Sequence, residues 1–340
     1  CRAPAERARG GRSHLILILA FLCKGSFDDQ NRWFRRLFCV FLGRQRTHAL
    51  TDKKSMFSPA PARLTSGGPL PYNTHDMKIQ RLKLKGLNNT RDLGGMPAEG
   101  GRAIKAGKLF RSGRLSRLPK RTKRSLEGFG IRTVVDLRTD TERCEHPDTL
   151  LEGAEYVALP LLCAPTGGIT AERSSRLFIK AESRRIKEQF GTADNYMIHT
   201  YRGIAFDKKP QESLRRFLRL AVERESLLWH CTGGKDRAGI CAMLLEALLG
   251  VKEEDIYTDY LASRRFCRRK FVLNRLAVYI APLTLKFKKV LLGLMRIKRE
   301  YLEGVISEMK ERYGSIIGYC RQELGITDAD IAILREKFLV

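Results

Sequence analysis

The sequence predicts an α/β fold: a central, mostly parallel sheet flanked by helices, with helical lid insertions. Two observations carry this reading. Residues 133–137 and 227–229 are apolar runs of buried-strand length, and from Leu82 onward such runs alternate with longer helical patterns. Residues 226–249 then read without a break as strand, tight Gly-rich loop and helix.

Along the chain, residues 1–76 come first and are different material. They are rich in Arg, Ser, Pro and Gly and show no clear hydrophobic periodicity. Residues 14–23 form an apolar run behind a basic stretch, too short for a bilayer span of ~20 residues. A second apolar and basic patch follows at 32–42. Three readings fit this segment: a disordered leader, a targeting signal, or a stretch that is not native coding sequence. Met77 stands where the patterned region begins, with Met56 the other internal candidate for a start, so 77–340 is expected to be the folded domain.

Within that domain, 133–137 and 227–229 are expected as central strands and 156–162 as another. Residues 170–190 are charged and helical in pattern, which suits a lid-like insertion ahead of the last strand. Residues 240–249 are apolar almost all round, as expected of a helix buried on every side, and Gly250 suits its end. Residues 264–301 interleave large apolar residues with many Lys and Arg, and Pro282 should divide them into two helices. Such a basic pair is either a lid with a solvated cationic face or a surface for an anionic membrane. Helices at 303–319 and 328–338 are expected to close the domain.

The chain has 340 residues, enough for one α/β domain with insertions. It carries 64 Lys and Arg against 37 Asp and Glu, a formal net charge of +27. That balance suits acidic partners such as phosphorylated protein or anionic lipid head groups. No nucleic-acid motif accompanies it, so nucleic acid is not expected. The nine cysteines are irregularly spaced and outline no disulfide framework.

The loop 230–239 concentrates the chemistry. It reads His-Cys-Thr-Gly-Gly-Lys-Asp-Arg-Ala-Gly, with Cys231 and Arg237 six positions apart. A loop of this kind aims several backbone N–H groups at one point, and the following helix N-terminus adds partial positive charge. A dianionic phosphate suits that cradle. Arg237 has the planar fork to grip two of its oxygens, and Cys231 would lie below the phosphorus as a thiolate in the same positive field. Gly233 and Gly234 are expected to allow backbone angles and close approach that a Cβ would block. The nucleotide-binding pattern is absent, because Lys235 is followed by Asp236 rather than Ser or Thr. His230 and Cys231 lack partners at metal-ligand spacing, so no metal or cofactor is implied. Cys241 and Cys267 read as small buried apolar residues.

These residues carry a family resemblance. The loop resembles the C-x5-R signature of the cysteine-based protein tyrosine phosphatase superfamily, in the branch of bacterial and fungal tyrosine and dual-specificity phosphatases with GKDR in the loop. Residues 89–95, Asn-Thr-Arg-Asp-Leu-Gly-Gly, are similar to that branch's opening motif, and 109–113, Leu-Phe-Arg-Ser-Gly, to its next strand. Residues 131–138 followed by Glu142 and Pro147 resemble its Asp-Leu-Arg element, and Asp259-Tyr260-Leu261 a helix after the loop. The resemblance spans about residues 78–340. It implies a tyrosine-phosphatase-like fold, so that 77–340 is the catalytic domain. It also implies hydrolysis of phosphate monoesters through a phosphocysteine, on phosphotyrosine, with phosphoserine, phosphothreonine or phosphoinositide as further substrates. The competing reading is a non-catalytic phosphate- or lipid-binding module using the same pocket. Two departures stand out: Gly234, where the branch usually has Ala or another small residue, and Ala238, where it usually has Thr or Ser. A hydroxyl at 238 would help the cysteine sulfur leave, so the second chemical step is expected to be slower here.

The expected roles follow from the loop and the resemblance together. Cys231 is the nucleophile, Arg237 binds phosphate, and Thr232, Gly233, Gly234, Lys235, Ala238 and Gly239 line the site. The leaving group needs a general acid. Asp236 inside the loop matches the branch, while Asp207 and Asp194 are the upstream alternatives. Lys235 is either a second phosphate contact or a solvated surface lysine. His230 is expected to hydrogen-bond around the loop. Arg91 and Asp92 either orient the loop or fix their own turn. Asp136 and Arg138 are expected to be an internal ion pair. Catalysis by Cys231 needs a reduced thiol, which makes the cytoplasm the expected compartment, and secretion the alternative if the leader is a signal.

Overall fold

The fold is that of a computed structural model, described for residues 79–162, 176–280 and 284–340. The leader and the first part of the predicted 170–190 insertion lie outside the described residues, as does Pro282.

Six strands form one sheet: β1 (Gln80–Arg81), β2 (Arg91–Asp92), β3 (Leu109–Ser112), β4 (Thr133–Asp136), β5 (Glu155–Ala158) and β6 (Leu227–His230). Their spatial order is β1-β2-β3-β6-β4-β5. The first two are antiparallel additions at one edge, and β3, β6, β4 and β5 run parallel. The last strand in the chain, β6, is flanked by β3 and β4. Its C-terminal residue His230 lies opposite Ser112 on one side and Asp136 on the other. The chain therefore delivers Cys231 just beyond the carboxyl ends of three parallel strands, where open α/β sheets build their sites.

All residues of β3, β4 and β6 are buried. Alternation divides their side chains between two apolar layers. Phe110, Val134 and Leu228 face a smaller core with Leu115, Leu126 and Ile131. Leu109, Val135, Leu227 and Trp229 face the larger one. Burial on both faces explains why β4 and β6 read as short apolar runs and not as alternating patterns.

Helices cover both faces. α1 (Lys120–Glu127) and α2 (Asp140–Glu145) follow β3 and β4; α3 (Arg176–Phe190), α4 (Ala193–Phe206) and α5 (Lys208–Glu223) precede β6. α6 (Arg237–Leu248) leaves the Gly-rich loop with all its residues buried, as its all-round apolar pattern predicted. Then come α7 (Glu253–Phe266), α8 (Arg268–Ile280), α9 (Leu285–Leu294), α10 (Arg299–Tyr313), α11 (Ile316–Gln322) and α12 (Asp328–Phe338). Within 264–301 the described residues break at Cys267, between α7 and α8, and α9 packs against α3 and α4. The helix expected over 303–319 is two helices, because Gly314 takes a left-handed φ of 76° and ends α10. The strand expected over 156–162 is shorter and shifted, at Glu155–Ala158. Among the described residues no helix is long and apolar enough to cross a membrane.

Candidate active site

The loop from Cys231 to Arg237 is shaped from behind by its carbonyl groups. Asn89 Nδ2 donates to the carbonyls of Gly233 (3.3 Å) and Gly234 (2.7 Å). Arg111 Nη2, from β3, donates to those of Gly234 (3.0 Å) and Lys235 (3.2 Å). In a trans peptide the N–H points opposite to the C=O. Holding these carbonyls outward therefore turns the N–H groups of Gly234, Lys235 and Asp236 the other way. The Gly234 N–H meets the Cys231 sulfur at 3.2 Å. The result is a nest of donors around a thiol, the arrangement an oxyanion needs.

Gly234 is the residue on which this bend depends. Its φ is +65°, and a Cβ there would lie 2.5 Å from the backbone carbonyl of Ser112. A side chain, even a methyl, meets both a strained backbone and a collision. Gly233 differs from expectation: a Cβ there would make only ordinary contact, 3.5 Å from Lys235 Cγ, and its φ is not left-handed.

The donors that hold the loop are themselves held. Asp259 of α7 accepts from Arg91 Nε at 2.6 Å through one oxygen and from Arg111 Nη1 at 2.5 Å through the other. Arg91 Nη1 donates to Asn89 Oδ1 at 2.6 Å, fixing which end of that amide faces the loop. All of these side chains are buried. Burial alone would raise the Asp259 carboxyl, but the two guanidinium groups outweigh it and keep it below its ordinary range. Glu246, fully buried nearby, is pushed well above the usual carboxyl range by burial and by the charge of Asp259. Arg91 thus acts on the loop through Asn89 and Asp259. Asp92 does not: it accepts from the N–H groups of Gly94 and Gly107, at 2.9 and 2.6 Å, and fixes its own turn.

Arg237 opens α6 and is fully buried. Glu142 of α2 accepts from both of its terminal nitrogens, Nη1 at 2.6 Å and Nη2 at 3.0 Å, and also accepts from the Thr232 hydroxyl. Glu142 is placed by a capping box with Thr139 at the start of α2. Burial would raise the Glu142 carboxyl, yet Arg237 and the Thr232 hydroxyl bring it down to about 2. Burial likewise works against the Arg237 charge, and the Cys231 sulfur and Glu142 raise its pKa regardless. The guanidinium therefore enters the site charged and fixed in plane.

Asp236 and Lys235 depart from their simplest readings. Asp236 occupies the N-cap position of α6 but makes no side-chain capping bond. It is buried, with Tyr201 donating to Oδ1 at 2.6 Å and Lys235 Nζ lying 3.3 Å from Oδ2. Lys235 is not a solvated surface lysine. It is buried, and Nζ also donates to the Leu294 carbonyl at the end of α9, at 3.2 Å. Of the upstream alternatives, Asp194 is engaged by Lys298 (2.6 Å) and by the Tyr301 hydroxyl (2.5 Å), which hold its carboxyl below the ordinary range against the effect of burial. Asp207 lies exposed at the junction of α4 and α5.

His230 also differs from expectation. Its ring faces carboxylates rather than the loop: Nε2 lies 2.8 Å from Asp148 and Nδ1 3.9 Å from Asp136. Burial would lower its pKa, and the two carboxylates raise it. Asp136 in turn is brought down to about 2, against burial, by His230 and Arg138. Arg138 pairs with Asp136 at 2.6 Å and Asp148 at 2.9 Å, so the expected internal pair is part of a larger network. Asp136, Asp148 and His230 stand close enough to hold a cation, but the Arg138 guanidinium already supplies the positive charge to both carboxylates. Cys241 and Cys267 are buried thiols, and Cys267 Sγ donates to the Gly233 carbonyl at 3.9 Å. Ala238 is buried beneath the loop, its carbonyl accepting from Trp229 Nε1 at 3.0 Å.

Sequence reasoning assigned no role to Asn89, Arg111, Glu142, Asp259 or Tyr201. The first four stood inside motif-like segments, but the partners of Glu142 and Asp259, for example, lie 95 and 168 positions away in the chain.

A thiol, a fixed guanidinium and a nest of backbone donors at the end of a parallel sheet define a cysteine-based phosphatase. The comparisons agree. A sequence profile described as "Tyrosine phosphatase family" matches residues 82–340, and the chain belongs to that family. It is 28% identical over 311 residues to a putative tyrosine-protein phosphatase of Cupriavidus necator, covering 91% of this chain and 98% of that protein. It is 30% identical over 277 residues to the triple specificity protein phosphatase PtpB of Mycobacterium tuberculosis, covering 76% and 98%. A tyrosine-protein phosphatase of Nostoc commune matches over half of the chain at 27% identity. The protein is an enzyme of the tyrosine or dual-specificity phosphatase class. The reading as a non-catalytic binding module is not favoured.

Proposed function

We infer that Cys231 is the nucleophile, Arg237 the phosphate clamp and Asp236 the general acid and base. The observation that carries this is the loop itself, where the Cys231 sulfur accepts the Gly234 N–H and Glu142 squares the Arg237 fork. The thiolate attacks phosphorus, and the S–P bond forms as the bond to the tyrosyl oxygen breaks. Asp236 gives its proton to that oxygen, which leaves as the neutral phenol. Water then attacks the phosphocysteine, and the Asp236 carboxylate takes a proton from it. The P–S bond breaks, its electron pair returns to sulfur, and inorganic phosphate departs. Arg237 and the N–H groups of the loop from Thr232 to Ala238 hold the equatorial oxygens through both steps. The test is Cys231→Ser, which should abolish turnover while leaving phosphate binding intact. Hydrolysis by that variant at the native rate would sink the mechanism, as would the lack of vanadate-sensitive phosphate release by the intact enzyme.

Phosphotyrosine in protein is the first proposed substrate. Phosphoserine, phosphothreonine and phosphoinositide form the wider range, supported by the similarity to a triple specificity phosphatase. A side-by-side assay of the three substrate types decides among them.

An anionic membrane surface is the proposed partner of the α8–α9 pair. The supporting observation is the exposure of Val272 (49%), Tyr279 (55%), Ile280 (45%) and Leu285 (77%) among exposed Arg275, Lys286 and Lys289. From Tyr260 to Arg299 the sequence has twelve Lys and Arg and no Asp or Glu. Apolar side chains flanked by cations suit an interface of acyl chains under anionic head groups. The protein should co-float with phosphatidylserine vesicles and not with phosphatidylcholine ones. Equal flotation with both, or with neither, would overturn this. The cytoplasm is the proposed compartment, because Cys231 must stay reduced, and the described cysteines are free thiols.

A further inference from the structure

Asp is among the best helix N-cap residues because its carboxylate satisfies an orphan N–H of the first turn. Asp236 sits at that position and forgoes that bond. Its carboxylate turns instead to a hydroxyl from another helix. Tyr201 of α4 donates to Oδ1 at 2.6 Å, and the hydroxyls of Tyr201 and Tyr260, from α7, lie 2.7 Å apart. Tyr201 and Tyr260 are almost wholly buried and meet edge to face, with ring centroids 6.3 Å apart. Tyr301 of α10 packs on Tyr201 at 5.8 Å.

Phenylalanine rings would fill the same space. What the hydroxyls add is polar, and a buried hydroxyl costs stability unless it is paired. The hydroxyl of Tyr201 pairs with the one carboxylate that the mechanism needs to carry a proton. Of the three tyrosines, Tyr201 alone reaches Oδ1, the oxygen opposite to the one beside Lys235, with Tyr260 and Tyr301 from two further helices packed against Tyr201.

We propose that Tyr201, backed by Tyr260, is the positioning residue for the general acid: its bond to Oδ1 fixes the orientation in which the Asp236 carboxyl faces the site. The proposal rests on the reading of Asp236 as the acid. When Asp236 is protonated, Oδ1 still accepts from Tyr201. After the proton has gone to the leaving oxygen, the same bond steadies the carboxylate that next takes a proton from water. Burial and the nearby Asp236 charge push the Tyr201 phenol well above its ordinary range, and burial does the same for Tyr260, so both remain donors. The bond also replaces rotational freedom about the Asp236 side chain with one orientation, which is how a supporting residue contributes to rate.

The experiment compares Tyr201→Phe, Asp236→Asn, the double variant and the native enzyme on aryl phosphates of graded leaving-group basicity. Protonation matters most for a poor leaving group such as the tyrosine phenol, with a pKa of about 10. It matters least for 4-nitrophenyl phosphate, whose phenol is far more acidic. Asp236→Asn should lose about 10²-fold or more in kcat/KM on phosphotyrosine and less as the leaving group improves. Tyr201→Phe should follow the same trend with a loss of about tenfold at the phosphotyrosine end, as expected for one hydrogen bond to a charged group. The double variant should be no worse than Asp236→Asn alone. Tyr260→Phe, which leaves the Tyr201 bond in place, should show the trend more weakly and serves if Tyr201→Phe does not fold. A loss that is uniform across leaving groups in both tyrosine variants, with Asp236→Asn still graded, would make the tyrosines structural and overturn the proposal. A uniform loss in Asp236→Asn itself would instead remove Asp236 as the acid.

Discussion

Replacing Glu142 by Gln removes one negative charge and changes the side chain's shape very little. In the native protein that charge lies between two nitrogens of Arg237, at 2.6 and 3.0 Å, with both side chains buried. The Glu142 carboxyl is held at about 2, from an ordinary 4.5. At about 1.4 kcal/mol for each pH unit, that difference corresponds to roughly 3 kcal/mol of preference for the charged, paired form. Breaking a buried pair by removing one partner costs about 3–5 kcal/mol, so the two routes agree on the scale. The Glu142→Gln variant should lose about 3 kcal/mol of stability at pH 7, or roughly 6–12 °C in Tm for a domain of this size. Because the folded carboxyl lies below its unfolded value, its contribution is fully present above about pH 4.5 and is lost as the pH falls toward 2. Denaturant titrations of the native protein and of the variant should therefore differ at pH 7 and converge in acid. Catalysis should suffer as well, since Arg237 loses the partner that fixes its plane, with a fall of about 10²-fold in kcat/KM on phosphotyrosine. A variant with native melting temperature and activity within about threefold of native would refute the clamp. A stability gap that persisted unchanged below about pH 3 would refute its ionic origin.

Asp259→Asn should cost about 3–5 kcal/mol in denaturant unfolding, because Arg91 and Arg111 would be left buried beside a neutral amide. Its phosphatase activity should fall even where it remains folded, since Arg111 holds two loop carbonyls. Gly234→Ala should give little folded, active enzyme, its methyl meeting Ser112 at 2.5 Å with φ at +65°; native activity would show that the loop relaxes freely. Ala238→Ser should speed phosphocysteine breakdown by up to about tenfold, the worth of one hydrogen bond to a charged leaving sulfur. Stopped-flow measurement of the phenol burst should then show a smaller amplitude than in the native enzyme, and an unchanged burst would remove Ala238 as the cause of a slow second step.

Much of the fold was legible because local and global signals coincide. Strands β4 and β6 are buried on both faces, so their apolar runs stand out, and α6 is buried all round, so it lacks a polar stripe. Other boundaries were less legible. The break at Cys267 depends on how successive helices turn to pack and carries no stop residue, whereas Gly314 is a stop signal that a continuous helix over 303–319 passed over. Gly233 and Gly234 look alike in sequence, yet only Gly234 faces the Ser112 backbone and needs to be glycine. Lys235 reads either as a phosphate contact or as a surface lysine, and only the fold shows α9 supplying a carbonyl for its ammonium.

The sequence by itself determined the reactive centre, because a nucleophile, a donor nest and a guanidinium within one short loop need only local geometry to meet. The tertiary structure decided how that centre is held. Glu142, Arg111 and Tyr201 reach it from α2, β3 and α4, across 35 to 123 positions of chain, and Asp259 of α7 holds Arg111 from 148 positions away. Their contacts exist only once strand register and helix packing bring those elements to the carboxyl end of β6. A buried charge or hydroxyl is stable only where such a distant partner arrives, so the role of each is a property of the packed fold.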